Sequence, residues 1–227
     1  VLVVVVDTST PAVTVALALI DPNAFGRLGV ELIGERRTVD ARAHGELLAP
    51  AISAVLAEAD TAGRDLAALV AGLGPGPFTG LRVGLMTAAV MGQALAIPTY
   101  GVCSLDAIGA VTTGTTLVAT DARRKEVYWA IYRDGIRLTE PSVNKPDAVA
   151  GLLDGAGVER AVGDGARLYA SALPVPVVDE PRYPPPLALA GLAADRIRGR
   201  APGEVLTPLY LRRPDATEPG QRKAVTP

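Results

Sequence analysis

Two apolar runs and a third strand-forming segment stand ahead of the first helical pattern, and helix and strand alternate after them; that order narrows the fold more than any single residue does. Residues 1–6 are too short a run for a helix, residues 8–11 supply turn formers, and residues 13–20 are apolar again, so the pair reads as a hairpin opened by Asp7, Thr8, Ser9 and Thr10. A polar loop with Gly and Pro follows at 21–29, then a third strand at 30–39. Leu48, Ile52, Val55, Leu56 and Ala59 recur at three- and four-residue spacing and predict a helix over 45–59. Pro50 lies too deep for a regular first turn, which predicts an irregular segment at 44–49 with the regular helix beginning just before the proline. A strand at 69–72, a helix at 81–96 and a strand at 98–102 complete a β-β-β-α-β-α-β order, which builds a mixed sheet flanked by helices.

Beyond residue 105 a comparable pattern restarts, with a helix at 104–111, strands at 116–120 and 126–133 around a turn at 121–125, and a later helix at 187–198. The division expected is a first lobe at 1–104 and a smaller second lobe at 105–212, its last helix able to pack back on the first. Residues 181–186 form a proline-rich connector, and 213–227 carry charge, Gly and Pro with few apolar residues, the composition of a disordered tail.

The core must be aliphatic, because 49% of the 227 residues are hydrophobic and only 4% aromatic. A net charge of −2 provides no basic field for a phosphodiester backbone, so strong direct binding of nucleic acid is not expected. Arg123, Arg124 and Lys125, and Arg212 with Arg213, are clusters small enough to be solvated surface. A single cysteine, Cys103, excludes an internal disulfide, and a single histidine, His44, leaves a conventional zinc site short of ligands. No basic leader precedes Asp7, and a cytoplasmic location is expected. The uncharged stretch 83–105 is long enough for a membrane span, but Pro98 interrupts it and Thr87, Gln93, Thr99 and Ser104 dilute it, so a buried helix and strand are expected instead.

An aspartate ending a β-branched strand, followed by hydroxyl residues in a hairpin turn, is an arrangement that can hold nucleotide phosphates, with Asp7 orienting a metal-bound water and Thr8, Ser9 and Thr10 donating to the anion. Local Asx and Ser/Thr turn bonding explains the same residues equally simply. Asp121 and Arg123 follow a strand end in the second half and are the matching candidates across a cleft. The segment 72–80 is no Walker loop: it lacks Gly-Lys-Ser/Thr, and Pro75 and Pro77 remove two donors, which leaves it a rigid turn aiming the next helix, with anion binding through Thr79 and Gly80 as the lesser reading.

That helix, 81–96, carries one charge, Arg82, and is apolar on nearly every face, so something must cover its outer side. Gly84, Ala88 and Gly92 at four-residue spacing suggest a shallow groove for a second helix, edged by Leu85 and Met91, with Leu81 and His44 beside it. Either the second half of the chain or another protein could fill it, and the contiguous apolar surface favours another protein. No catalytic constellation is apparent. Ser9 or Ser104 with His44 lacks any Gly-x-Ser-x-Gly elbow.

The runs Asp7-Thr-Ser-Thr10, His44-Gly-Glu-Leu-Leu-Ala-Pro50, Gly74-Pro-Gly-Pro-Phe-Thr-Gly-Leu-Arg-Val-Gly84 and Asp121-Ala-Arg-Arg-Lys-Glu-Val-Tyr128 together resemble the TsaB (YeaZ) family. The third is the most specific, and the likeness covers 3–133 firmly and extends loosely to 210–212. It implies a two-lobed actin-like ATPase (ribonuclease H-like) α/β fold and a non-catalytic role beside a catalytic paralogue, TsaD, with a small ATPase, TsaE, in forming threonylcarbamoyl on N6 of adenosine 37 in tRNAs that read codons beginning with A. It further implies a homodimer in isolation, no required cofactor, and at most weak ATP or ADP with magnesium. The alternatives left open are a nucleotide phosphohydrolase or phosphotransferase and, less favoured, a metallopeptidase. Pro77 stands where the family has Ser, and with one histidine the paralogue's His-x-x-x-His metal pair cannot form.

Overall fold

The computed structural model describes residues 1–212, so the tail expected at 213–227 lies outside the described residues. Strands β1 (Leu2–Asp7), β2 (Ala12–Ile20) and β3 (Val30–Val39) form an antiparallel meander, after which come α1 (His44–Glu58), β4 (Leu66–Gly72), α2 (Phe78–Leu95) and β5 (Thr99–Val102). The sheet order is β3-β2-β1-β4-β5, with β4 parallel to β1 and β5 parallel to β4. β1 is central, which explains its unbroken apolar run: Val4 and Val6 face α1 and α2, while Val3 and Val5 face the opposite layer. That layer is α6 (Pro186–Arg198), which returns from the far end of the chain to cover the sheet with Leu189, Ala190, Ala193 and Ala194.

Between these parts α3 (Ser104–Gly109) leads into β6 (Thr115–Asp121), β7 (Val127–Arg133), β8 (Ile136–Arg137), β9 (Ser142–Asn144), α4 (Pro146–Leu152), β10 (Arg160–Val162) and α5 (Asp164–Leu168). β7 lies antiparallel to β6, β9 antiparallel to β7, and β10 parallel to β6, so the second sheet repeats the β-β-β-α-β-α order of the first. Past α6 the chain runs without regular structure along the free edge of β5. There the Glu204 N–H donates to the Thr99 carbonyl at 2.8 Å and the Glu204 carboxylate accepts the Gly101 N–H at 3.0 Å.

Two local expectations are corrected. α1 runs unbroken from His44 through Pro50, because the proline is exposed and water can satisfy the Glu46 carbonyl that loses its partner. α2 begins one turn earlier than predicted, directly after Pro77 at its N-cap. Among the described residues no helix is long and apolar enough to cross a membrane.

Candidate functional site

β1 ends on Asp7, and the turn after it folds back over the carboxylate. Asp7 is 1% exposed; its Oδ1 accepts the Ser9 N–H at 3.0 Å and the Ser9 hydroxyl at 2.8 Å, and its Oδ2 accepts the Ser104 hydroxyl at 2.6 Å. Ser104 Oγ accepts the Gly74 N–H at 3.1 Å, tying α3 and the Gly74–Pro77 loop to the same carboxylate. Burial pushes the Asp7 pKa up, opposed by the bonds from Ser104 and Ser9. Glycines permit the closure. A Cβ on Gly72 would stand 1.8 Å from Asp7 Oδ2, and one on Gly76 would stand 2.3 Å from the Ser9 carbonyl. The phosphate-cleft role expected for Asp7 and Ser9 is therefore corrected: both are sealed beneath the 74–77 loop, and the oxygens that would orient a metal-bound water are engaged by serines. These residues do not fit a magnesium nucleotide held through Asp7.

Above that plug, Thr8, Thr10, Ala41, His44, Pro77, Phe78, Thr79, Gly80 and Arg123 line a cavity of about 250 Å³. The first hydrogen bond of α2 is Leu81 N–H to the Pro77 carbonyl, so the amides of Phe78, Thr79 and Gly80 precede the helical ladder. Arg123 comes from the β6–β7 turn, its N–H donating to Asp121 Oδ1 at 3.0 Å and its guanidinium 3.7 Å from the same carboxylate. Asp121 does not line the cavity; it anchors Arg123. Its own N–H donates to Asp164 Oδ1 at 3.2 Å, and burial, with the Asp121 charge adding to it, pushes the Asp164 pKa up to about 6. The His44 ring, buried at the start of α1, bonds through Nε2 to the Thr10 carbonyl at 2.9 Å, so Nε2 carries the proton and the ring fastens α1 to the first turn. Of the cleft residues named from sequence, Thr8, Thr10 and Arg123 come together, while Asp7, Ser9 and Asp121 do not face the space. What remains is one cation and a helix N-terminus without an attacking group, in a volume below the roughly 300–1,000 Å³ of ordinary small-molecule sites.

The small-residue stripe of α2 is also corrected. Leu81, Gly84, Leu85, Ala88 and Gly92 are buried against the protein's own sheet, and Met91 is half-buried beside them. The Thr8 hydroxyl is wedged into the helix, donating to the Gly80 carbonyl at 2.8 Å and accepting the Gly84 N–H at 3.0 Å. Gly84 is the residue that lets it in, since a Cβ there would stand 2.4 Å from Thr8 Oγ1; at Gly92 a Cβ would stand 2.6 Å from Thr99 Cγ2. The groove is real, but the first sheet fills it. The opposite face of α2 is the one left open, with Phe78, Met86 and Val90 each more than half exposed, at 54%, 55% and 58%, and Arg82 and Gln93 the polar residues among them. An all-apolar helix hides this distinction in its sequence, and the missing signal was the position of Thr8.

A family model described as TsaD, tRNA N6-adenosine threonylcarbamoyltransferase, matches residues 37–218. An uncharacterized protein of Mycobacterium tuberculosis is 51% identical over 214 residues, covering 94% of this chain and 93% of that protein. The tRNA threonylcarbamoyladenosine biosynthesis protein TsaB of Bacillus subtilis is 31% identical over 155 residues, covering 67% of this chain and 63% of that protein. Among solved structures, YeaZ from Pseudomonas aeruginosa superposes with a TM-score of 0.73 at 26% identity, covering 92% of this chain and 99% of that one. The repeated β-β-β-α-β-α order, the Asp7 turn and these matches agree: the chain has an actin-like fold and belongs to the TsaD/TsaB (YeaZ) family.

Proposed function

We propose that this chain is a non-catalytic partner subunit in the formation of N6-threonylcarbamoyladenosine at position 37 of tRNA, docked through the outer face of α2 on a catalytic TsaD paralogue. The observation that carries the reading is the pairing of a plugged first turn, Asp7 under the 74–77 loop, with an uncovered apolar face built on Phe78, Met86 and Val90. A contiguous apolar helical face marks a protein contact, and it lies on the same helix whose N-terminus carries the family's most specific run. The assembly would be cytoplasmic and include a TsaE-type ATPase; alone, the chain would pair with a second copy through the same face. With a net charge of −2, tRNA binding falls to the assembled complex.

The test is reconstitution of the modification from purified components, with nucleosides read by mass spectrometry. Omitting this chain should abolish or sharply reduce threonylcarbamoyladenosine, and an undiminished yield without it would overturn the reading. The cavity under Arg123 and the start of α2 favours one second reading, a nucleotide phosphohydrolase or phosphotransferase. That reading predicts turnover by the chain alone.

A further inference from the structure

The last described segment of the chain touches both sheets in succession. The Leu209 N–H donates to the Leu73 carbonyl at 2.8 Å, where β4 gives way to the 74–77 loop. Tyr210, 44% exposed, stacks on Phe78 at the start of α2, with ring centroids 5.3 Å apart and planes at 28°. Arg82 Cζ lies 5.1 Å from the centroid of the same Phe78 ring. Leu209 and Leu211 pack on the cluster of Cys103, Leu105, Ile108, Tyr128 and Tyr132 beside the second sheet, and Arg212 pairs with Glu126 at the base of the β6–β7 turn.

That turn is a strained element. Arg123, Arg124 and Lys125 have φ values of 62°, 54° and 61°, three successive side-chain-bearing residues in the left-handed region. They are held there by closure at Glu126, whose carbonyl accepts the Ala122 N–H at 3.0 Å and whose N–H donates to the Arg123 carbonyl at 3.0 Å. Glu126 is the residue that Arg212 grips. Arg212 meets the Glu126 carboxylate while the Glu126 backbone closes the turn, so the strap and the turn share one residue.

We infer that residues 205–212 are a latch coupling the outer face of α2 to the β6–β7 turn. Its regulatory meaning rests on the reading that a protein docks on that face. Phe78 and Tyr210 lie on it together, so a partner covering α2 covers the stack, tightens the strap and holds Arg123 in place. Occupancy at one sheet is thereby reported at the other, through a two-state element that both contacts bias.

Amide hydrogen exchange on the full chain alone tests the latch. Tyr210→Ala should speed exchange at Ala122 and Glu126, on the β6–β7 turn rather than at the Phe78 stack, by about two- to tenfold, the worth of an aromatic pair. Arg212→Ala should likewise speed exchange at Leu209. Tyr210→Phe, which keeps the ring, should leave all three at wild-type rates, and the amides of β1 and β4 should not change. Effects confined to each residue's own neighbours, or equal across the whole chain, would overturn the latch. Adding the TsaD paralogue separates the two ideas. Binding that slows exchange at Ala122 and Glu126 supports the coupling, binding without that slowing refutes it while docking stands, and absence of binding refutes the docking reading alone and leaves the latch to the variant data.

Discussion

Gly84→Ala is the substitution on which two accounts of α2 disagree most sharply. In an isolated helix the change would stabilise by about 1 kcal/mol, because glycine is the poorer helix former. If Gly84 lined a groove waiting for another protein, the monomer would keep that gain. In the fold described, the new Cβ meets Thr8 Oγ1 at 2.4 Å and the Thr8 Cβ and Cγ2 atoms at 3.4 Å, so all three nearest atoms belong to one residue. Relieving the contact breaks the two hydrogen bonds of the Thr8 hydroxyl, at about 1 kcal/mol each, and strains a close-packed layer by about 1–3 kcal/mol. Net of the propensity gain, the variant should lose about 2–4 kcal/mol, a fall in melting temperature of about 4–16 °C for a chain of this size. Thermal unfolding by circular dichroism measures it, and the control is built in. In a Thr8→Ala background the obstacle is gone, the Gly80 carbonyl and Gly84 N–H can bond each other, and Gly84→Ala should be neutral or stabilising. If Gly84→Ala melted at or above wild type with Thr8 in place, the assignment of the stripe to the protein's own sheet would be refuted.

Asp164 should titrate with a midpoint of about 6, visible as a carboxyl carbon shift in NMR. Between the unfolded value of about 3.9 and that midpoint, the folded state holds a proton that the unfolded state has lost, so stability falls as pH rises through this window, by on the order of 3 kcal/mol. Asp164→Asn keeps an acceptor for the Asp121 N–H and should flatten that slope and unfold later than wild type at pH 7; an unchanged slope would contradict the burial argument. Asp7→Ala should cost about 3 kcal/mol, since it leaves the Ser9 N–H and the Ser104 hydroxyl buried without their acceptor. Calorimetry with ATP and magnesium, run where the variant is folded, should find no affinity that depends on Asp7, and a nucleotide affinity lost in Asp7→Ala would restore the phosphotransfer reading.

The first sheet was legible because β1, β2 and β4 are buried on both faces and α1 keeps a clean three- and four-residue spacing, so burial and sequence pattern coincide. The second half was less so. β8, β9, α4, β10 and α5 are two to seven residues long and drawn from segments such as Ser142–Asn144 and Asp164–Leu168, where tertiary pairing rather than local pattern makes the element. The Asp7 turn was found, but its state was not: that both carboxylate oxygens are engaged depends on Ser104, 97 residues away. The orientation of α2 failed for a related reason. With apolar residues all round, the helix carries no amphipathic signal, and small residues suit a neighbouring sheet as well as a neighbouring helix. The strap could not be foreseen at all, since Tyr210 and Arg212 acquire their meaning only from Phe78 and Glu126.

Affinity for the TsaD paralogue, measured by calorimetry with wild type and two single variants, goes to the centre of the account. Val90, 58% exposed on the open face, can become glutamate with little effect on folding, whereas Ala88, 1% exposed beneath it, cannot. Val90→Glu should fold with an unchanged melting temperature and bind at least about tenfold more weakly, as expected for a charge placed in an interface core, while Ala88→Glu should fail by unfolding. A folded Val90→Glu protein that bound the paralogue as tightly as wild type would contradict the claim that the outer face of α2 is the docking surface.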